Sequence, residues 1–114
     1  MAQTLTDRFG LAAVFDDVAK TVTFDLDDLD GITDTSLVTP ANIDDWADRI
    51  AAALILQWKA NQSADNTDPT DGIVVGDPYK NFETRGTEQQ ISFNYNVAIY
   101  IPDNSADLDP DLVV

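Results

Sequence analysis

The chain has 114 residues, 44% of them hydrophobic, and sets 21 acidic side chains against 6 basic ones for a net charge of −15. It contains neither cysteine nor histidine, which excludes disulfides, thiolate metal sites and the side chain best suited to proton transfer near neutral pH. The length fits one small domain burying roughly 65% of its unfolded surface, and the charge opposes direct contact with nucleic acid or an anionic membrane surface while favouring basic protein partners.

Of the acids, 19 are Asp, a residue suited to turns and helix ends rather than helix interiors. They are spread along the chain: 11 acids and 3 bases lie up to Gln57, and 10 acids and 3 bases follow it. The charge is therefore distributed over loops rather than held in a tail.

In chain order, residues 1–10 are polar apart from Leu5 and Phe9 and read as an N-terminal arm, without the basic start and apolar core of a signal peptide. Residues 11–15 form an apolar run and 21–26 alternate Val22, Phe24 and Leu26 with polar residues, which predicts a β-hairpin with a loop of four to five residues. Residues 27–38 form an acidic connector turned at Asp30-Gly31. Neither this connector nor 65–72 fits a calcium loop: aligning the glycine puts Leu26 at the first ligand position of one, and Thr67 and Pro69 at the first and third of the other. Clustered carboxylates attract hard cations weakly, but a solvated turn accounts for both stretches, and no cofactor is implied.

Residues 39–62 predict a long helix, with Thr39 as its cap, Pro40 at its first position, Asp44 and Asp45 near its positive end and Lys59 near its negative end. Ile43, Trp46, Ile50, Leu54 and Trp58 recur at helical spacing and are expected to face a sheet. Six consecutive apolar residues, 51–56, leave the second half without a polar side, so Ala52, Ala53 and Leu56 are candidate subunit contacts.

After a polar loop over 63–72, Ile73-Val74-Val75 is a short apolar segment, 79–85 is extended, and Gly86-Thr87-Glu88 predicts a hairpin loop. Ile91, Phe93, Tyr95, Val97, Ile99 and Ile101 alternate with Ser92, Asn94, Asn96, Ala98 and Tyr100, which predicts one strand of about 36 Å at about 3.3 Å per residue, matched in length to the helix. Tyr100, on its polar side, suits an interface. Pro102 ends that strand, and residues 102–114 read as an acidic C-terminal arm whose tip, Leu112-Val113-Val114, is a further candidate contact. The expected fold is α+β: a single domain over 11–101, one long central helix packed on a small antiparallel β-sheet, with extended terminal arms.

No residue set supports catalysis. Adjacent Asp pairs point apart, a chain this small offers little cleft for a two-carboxylate mechanism, and no glycine opens a phosphate-binding loop. Trp46 and Trp58 read as core residues, and Lys59, Lys80 and Arg85 as partners for neighbouring carboxylates.

The hairpin Val14-Phe15-Asp16-Asp17-Val18-Ala19-Lys20-Thr21-Val22-Thr23-Phe24, the Thr-Pro helix start with its Leu54-Ile55-Leu56-Gln57-Trp58 end, and the strand Phe93-Asn94-Tyr95-Asn96-Val97 resemble small proteins encoded in structural gene clusters of cyanobacterial phages and prophages. That resemblance is one of layout over most of the chain. It implies a non-enzymatic virion component, either a capsid cement (decoration) protein or a small tail or neck protein. Its partners would be the major capsid protein or other virion subunits, in a homo-oligomer or lattice, with no contact to nucleic acid or membrane. Such a protein would be soluble, made in the host cytoplasm and carried in the virion. An acidic inhibitor imitating DNA is the alternative, but it needs a continuous array of carboxylates, and only Asp44, Asp45 and Asp48 form a helical row.

Overall fold

A computed structural model describes residues 3–62, 66–103 and 107–114. It is an α+β fold built around one long helix and three two-stranded antiparallel sheets. Two of those sheets are successive parts of one bent hairpin.

The N-terminal stretch opens with a short helix, α1 (Leu5–Phe9). The Thr4 hydroxyl accepts from the Asp7 N–H at 3.2 Å and the Asp7 carboxylate accepts from the Thr4 N–H at 2.9 Å, a reciprocal cap that satisfies two otherwise unpaired donors. Gly10, at φ 97°, ends the helix where a Cβ would stand 2.6 Å from that of Asp28. Most of the expected arm is thus a helix docked on the body of the protein.

Strands β1 (Val14–Asp16) and β2 (Thr21–Thr23) pair in the register Val14↔Thr23, Phe15↔Val22 and Asp16↔Thr21, giving the predicted hairpin with shorter strands. Its loop is fixed by the Asp16 carboxylate, which accepts from the Val18 and Ala19 N–H groups at 2.9 and 3.0 Å, and by an ion pair between Lys20 and Asp17.

The long helix, α2 (Ile43–Ala60), starts later than its sequence signals suggest. The Asn42 side chain reaches backwards, accepting from the Thr39 N–H at 2.8 Å and donating to the Leu37 carbonyl at 2.7 Å, so Thr39 and Pro40 belong to a turn before the helix. Its buried residues are Ala53 and Gln57, one turn apart, whereas Ile43 is exposed. Helix α2 packs against α1 and against β3 (Ile73–Val75), and both of its buried residues lie in its second half.

The expected single strand over 91–101 is two. Strand β4 (Tyr79–Arg85) pairs with β5 (Glu88–Asn94) around the two-residue turn Gly86-Thr87, and β3 pairs with β6 (Val97–Ile99). The partner changes at Tyr95-Asn96, opposite Gly76-Asp77-Pro78, where the Gly76 N–H donates to the Asn96 carbonyl at 2.8 Å. Three residues facing two force a bend, and Pro78 has no N–H to continue a ladder. The helix therefore packs beside β3, and the β4–β5 ribbon projects past it instead of lying along it.

The closed core is small. Among the described residues its buried apolar members are Ala13, Leu29, Ala53 and Val75. They are drawn from the β1 approach, the acidic connector, α2 and β3, and polar groups tie these pieces together. Gln57 accepts from the Asp30 N–H at 3.0 Å and donates to the Asp7 carbonyl at 3.1 Å, while the Trp58 indole donates to the Arg8 carbonyl at 3.1 Å. Arg8 donates to the Ile73 carbonyl at 2.8 Å. Burial lowers the pKa of its guanidinium, and the neighbouring Asp71 carboxylate opposes that shift.

The C-terminal tip closes on its own chain. The Val114 N–H donates to the Tyr100 carbonyl at 3.1 Å, and a Cβ on Gly72 would stand 2.1 Å from the Val114 carbonyl oxygen, so only glycine admits the tip there. Residues 104–106 of the expected acidic arm, and 63–65 of the polar loop, lie outside the described residues.

The cap at Thr4 gives the first testable consequence. Hydrogen bonds from the Thr4 backbone and hydroxyl, with a smaller contribution from the Arg8 charge, hold the Asp7 carboxylate below its usual pKa. A depressed carboxylate stabilises the fold above its unfolded pKa of about 3.9, and that contribution disappears as pH falls through the lower folded value. Acidification below about pH 4 should therefore weaken α1 docking, read as a shift of the Trp58 indole N–H resonance. In Asp7→Asn that acid-dependent component should be absent.

Candidate functional site

Much of the apolar surface lies outside the closed core. The accessible surface is 8322 Å², against about 6,200 Å² for a compact monomer of this mass. The radius of gyration is 16.5 Å, against about 13.3 Å for a compact chain of this length.

The β4–β5 register assigns the faces of the projecting ribbon. Lys80↔Phe93, Phe82↔Ile91 and Thr84↔Gln89 share one face, while Tyr79↔Asn94, Asn81↔Ser92, Glu83↔Gln90 and Arg85↔Glu88 share the other. The first face is apolar through Phe82, Ile91 and Phe93, which are 76%, 50% and 54% exposed. Lys80 lies over the Phe93 ring, its Nζ 5.5 Å from the centroid, covering part of the face with its aliphatic stem.

Where this ribbon meets α2, Phe93 and Tyr95 join Ala52, Ile55 and Leu56 around a groove of about 370 Å³. No carboxylate, lysine or arginine lines it. On the other side of Ala52 and Leu56 a second shallow depression includes Gly31, Ile32, Leu37 and Trp46. A Cβ on Gly31, which has φ 86°, would lie 3.0 Å from Leu56 Cδ1, so the connector packs closely against the groove wall. Arg49 lies 4.9 Å from the Trp46 ring centre and edges the depression together with Asp30 and Asp34, so its rim carries both signs of charge. This arrangement suits burial of an apolar surface from another molecule.

The residues singled out from sequence fall into three places. Ala52 and Leu56 both line the groove. Ala53 is 3% exposed and belongs to the core, because the covered stripe of α2 runs through Ala53 and Gln57; it is not available to a partner. Tyr100 and Val114 meet on a separate depression of about 440 Å³, with Asn66 donating to the Tyr100 hydroxyl at 2.7 Å, and Val113 packs beside Gly72. Leu112 is exposed nearby in chain, in a short turn of helix over Pro110–Leu112.

Sequence reasoning missed Phe82 as a surface residue and turned Ile91 and Phe93 inward. The alternation that identified the strand also marks an apolar face, but alternation alone does not say whether that face is covered.

The carboxylates of Asp25, Asp27 and Asp28 place their ligand atoms within 4.8 Å of one another. Asp28 already accepts from the Ala12 N–H at 3.1 Å, so one member of the cluster fastens the connector to the β1 approach. Elsewhere the Ser36 hydroxyl and N–H hold the Asp34 carboxyl below its usual pKa, and Lys59 does the same for Asp77 across a 2.7 Å ion pair. Asp34 and Asp77 are exposed and do not line the groove itself, but each lines a neighbouring depression that shares wall residues with it, Ala52 and Leu56 for Asp34 and Ile55, Phe93 and Tyr95 for Asp77. Among the described residues no helix is long and apolar enough to cross a membrane. No family model, curated protein or solved structure matches the chain.

Proposed function

We propose that this protein is a non-enzymatic structural subunit of a virion, a cement protein that reinforces a capsid shell through protein–protein contacts. The observation that carries the reading is the surplus of about 2,100 Å² of accessible surface over a compact monomer. A standard protein interface takes about 800 Å² from each partner, so the surplus is enough for more than one neighbour. A chain that leaves Phe82, Ile91 and Phe93 open to water gains the missing burial in an assembly.

The charge fits that role. At −15 the acidic surface keeps the protein soluble at high copy number before it meets a shell, and it is repelled by packaged nucleic acid. Made in the host cytoplasm, such a subunit would end in the particle.

Particles purified from the strain that encodes this chain provide the test. Quantitative mass spectrometry should find it in a fixed ratio to the main shell subunit, retained after washing in about 1 M salt because apolar burial is not screened. Its absence from particles overturns the reading. Displacement of a DNA-binding protein from DNA, fading steeply as salt rises, would instead identify a DNA mimic.

A further inference from the structure

We infer that the apolar face of the β4–β5 ribbon and the α2 groove together form a self-association surface, whose occupant is a second copy of this chain. The inference rests on the assembly role proposed above and names one of its contacts.

The first ground is charge. Asp77 and Asp103 bracket 25 residues without a single Asp, and within them Lys80 and Arg85 balance Glu83 and Glu88. The ribbon and β6 are therefore neutral, and the whole −15 resides in the rest of the chain. A partner selected by the acidic surface would be basic and would bind elsewhere. On the apolar face the one charge is Lys80, drawn over the Phe93 ring, while Glu83, Arg85 and Glu88 lie on the other face, so against the acidic remainder it is the part of this molecule where two copies meet with least electrostatic opposition.

The second ground is geometry. Phe82 and Ile91 form a strip toward the ribbon's turn, and Ala52, Ile55, Leu56, Phe93 and Tyr95 form the groove at its base. Phe93 belongs to both, so strip and groove are continuous. From the Phe82↔Ile91 pair to Tyr95 is four residues, about 13 Å along the strand. A strip and a groove side by side on one surface are the two halves of an isologous contact: a two-fold rotation lays the strip of each copy over the groove of the other.

The third ground is stability. A two-stranded ribbon exposed on both faces is marginal in water, and β4 and β5 are exposed or half-buried throughout. Covering one face with a second copy removes that weakness. The area suffices, since a contact of about 800 Å² per copy uses less than half of the surplus surface.

Sedimentation equilibrium and light scattering of the purified full chain test the inference, with circular dichroism confirming that each variant is folded. The wild type should form a species of twice its 12.5 kDa mass, and the dimer should strengthen with salt as repulsion between the acidic remainders is screened. Phe82→Asp should raise the dissociation constant roughly 1,000-fold, since each change is felt twice in a two-fold contact. Phe82 is mostly exposed, so this variant keeps the monomer fold. Ala52→Asp, which places a charge in the groove, should act in the same direction. Asn81→Asp adds the same charge on the opposite face and should leave the dimer within a few-fold of wild type.

A wild type that stays monomeric in high salt overturns the inference, as does a dimer indifferent to Phe82→Asp or equally sensitive to Asn81→Asp. None of those results bears on whether the chain is found in particles, so failure here and failure of the cement role are read separately.

Discussion

Leu29→Ala should lower the unfolding free energy by about 2–5 kcal/mol, although Leu29 lies in a stretch dense with aspartate. Its side chain is 2% exposed, and with Val75 it is one of the two largest fully buried side chains among the described residues. The connector is anchored on both sides of it. Asp28 accepts from the Ala12 N–H, and the Asp30 N–H donates to Gln57, so the backbone cannot follow a shortened side chain inward to fill the space. A cavity that does not collapse places the cost toward the upper end of the range. For a chain of this size each kcal/mol is worth about 4 °C, which predicts a melting temperature about 8–20 °C lower. Leu37→Ala, in the same connector but 67% exposed, should stay within about 0.5 kcal/mol of wild type. Urea denaturation in the Phe82→Asp background gives both values free of any contribution from association. A loss below about 1 kcal/mol for Leu29→Ala would mean that the connector is peripheral to the core.

The same residue shows where the sequence was legible and where it was not. Elements whose periodicity is internal were readable: α2 from its three- and four-residue spacing, the first hairpin from the alternation of Val22 and Phe24 with threonine, and the Gly86-Thr87 turn from its residue types. Leu29 has no periodic context, so its burial is decided by what folds over it. The division of residues 91–101 between β5 and β6 was hidden for a related reason. Both halves keep the same period, and only the exchange of partners at Asn96 separates them.

Helix α1 carried a readable signal. Thr4 followed three residues later by Asp7, with Leu5 and Phe9 on either side, is the pattern of a reciprocal cap, and a low count of apolar residues concealed it. The candidate surface was legible in half: Ala52 and Leu56 follow from a helix with too many apolar sides, but Ala53 between them turns inward. Phe82, Ile91 and Phe93 required the knowledge that the ribbon leaves the helix.

Gln57 is the clearest instance of a polar residue whose place in the core no pattern announces, and replacing it should cost about 2–4 kcal/mol. It is 7% exposed, and both ends of its amide are used: the oxygen accepts from the Asp30 N–H and the nitrogen donates to the Asp7 carbonyl. One side chain thus joins α1, the connector and α2. Gln57→Leu retains most of the volume and adds apolar surface, yet it leaves the part-buried Asp30 N–H and Asp7 carbonyl without their partners, at about 1–3 kcal/mol each. The loss survives the hydrophobic gain. Its penalty should not vary with pH, because the new side chain does not titrate.

Gln57→Glu separates hydrogen bonding from packing. The carboxylate still accepts from Asp30, but when ionised it cannot donate to the Asp7 carbonyl, and burial of its charge raises its folded pKa above the unfolded value of about 4.3. A raised carboxylate pKa makes the folded state bind the proton more tightly. The penalty is then largest above the folded pKa and shrinks as pH falls through it, when the protonated acid again donates. Urea midpoints measured from about pH 7 to pH 5 should therefore converge for Gln57→Glu and wild type, while Gln57→Leu keeps a constant offset. A Glu variant that tracks the Leu variant at every pH would place the stabilisation in side-chain packing and not in the two hydrogen bonds.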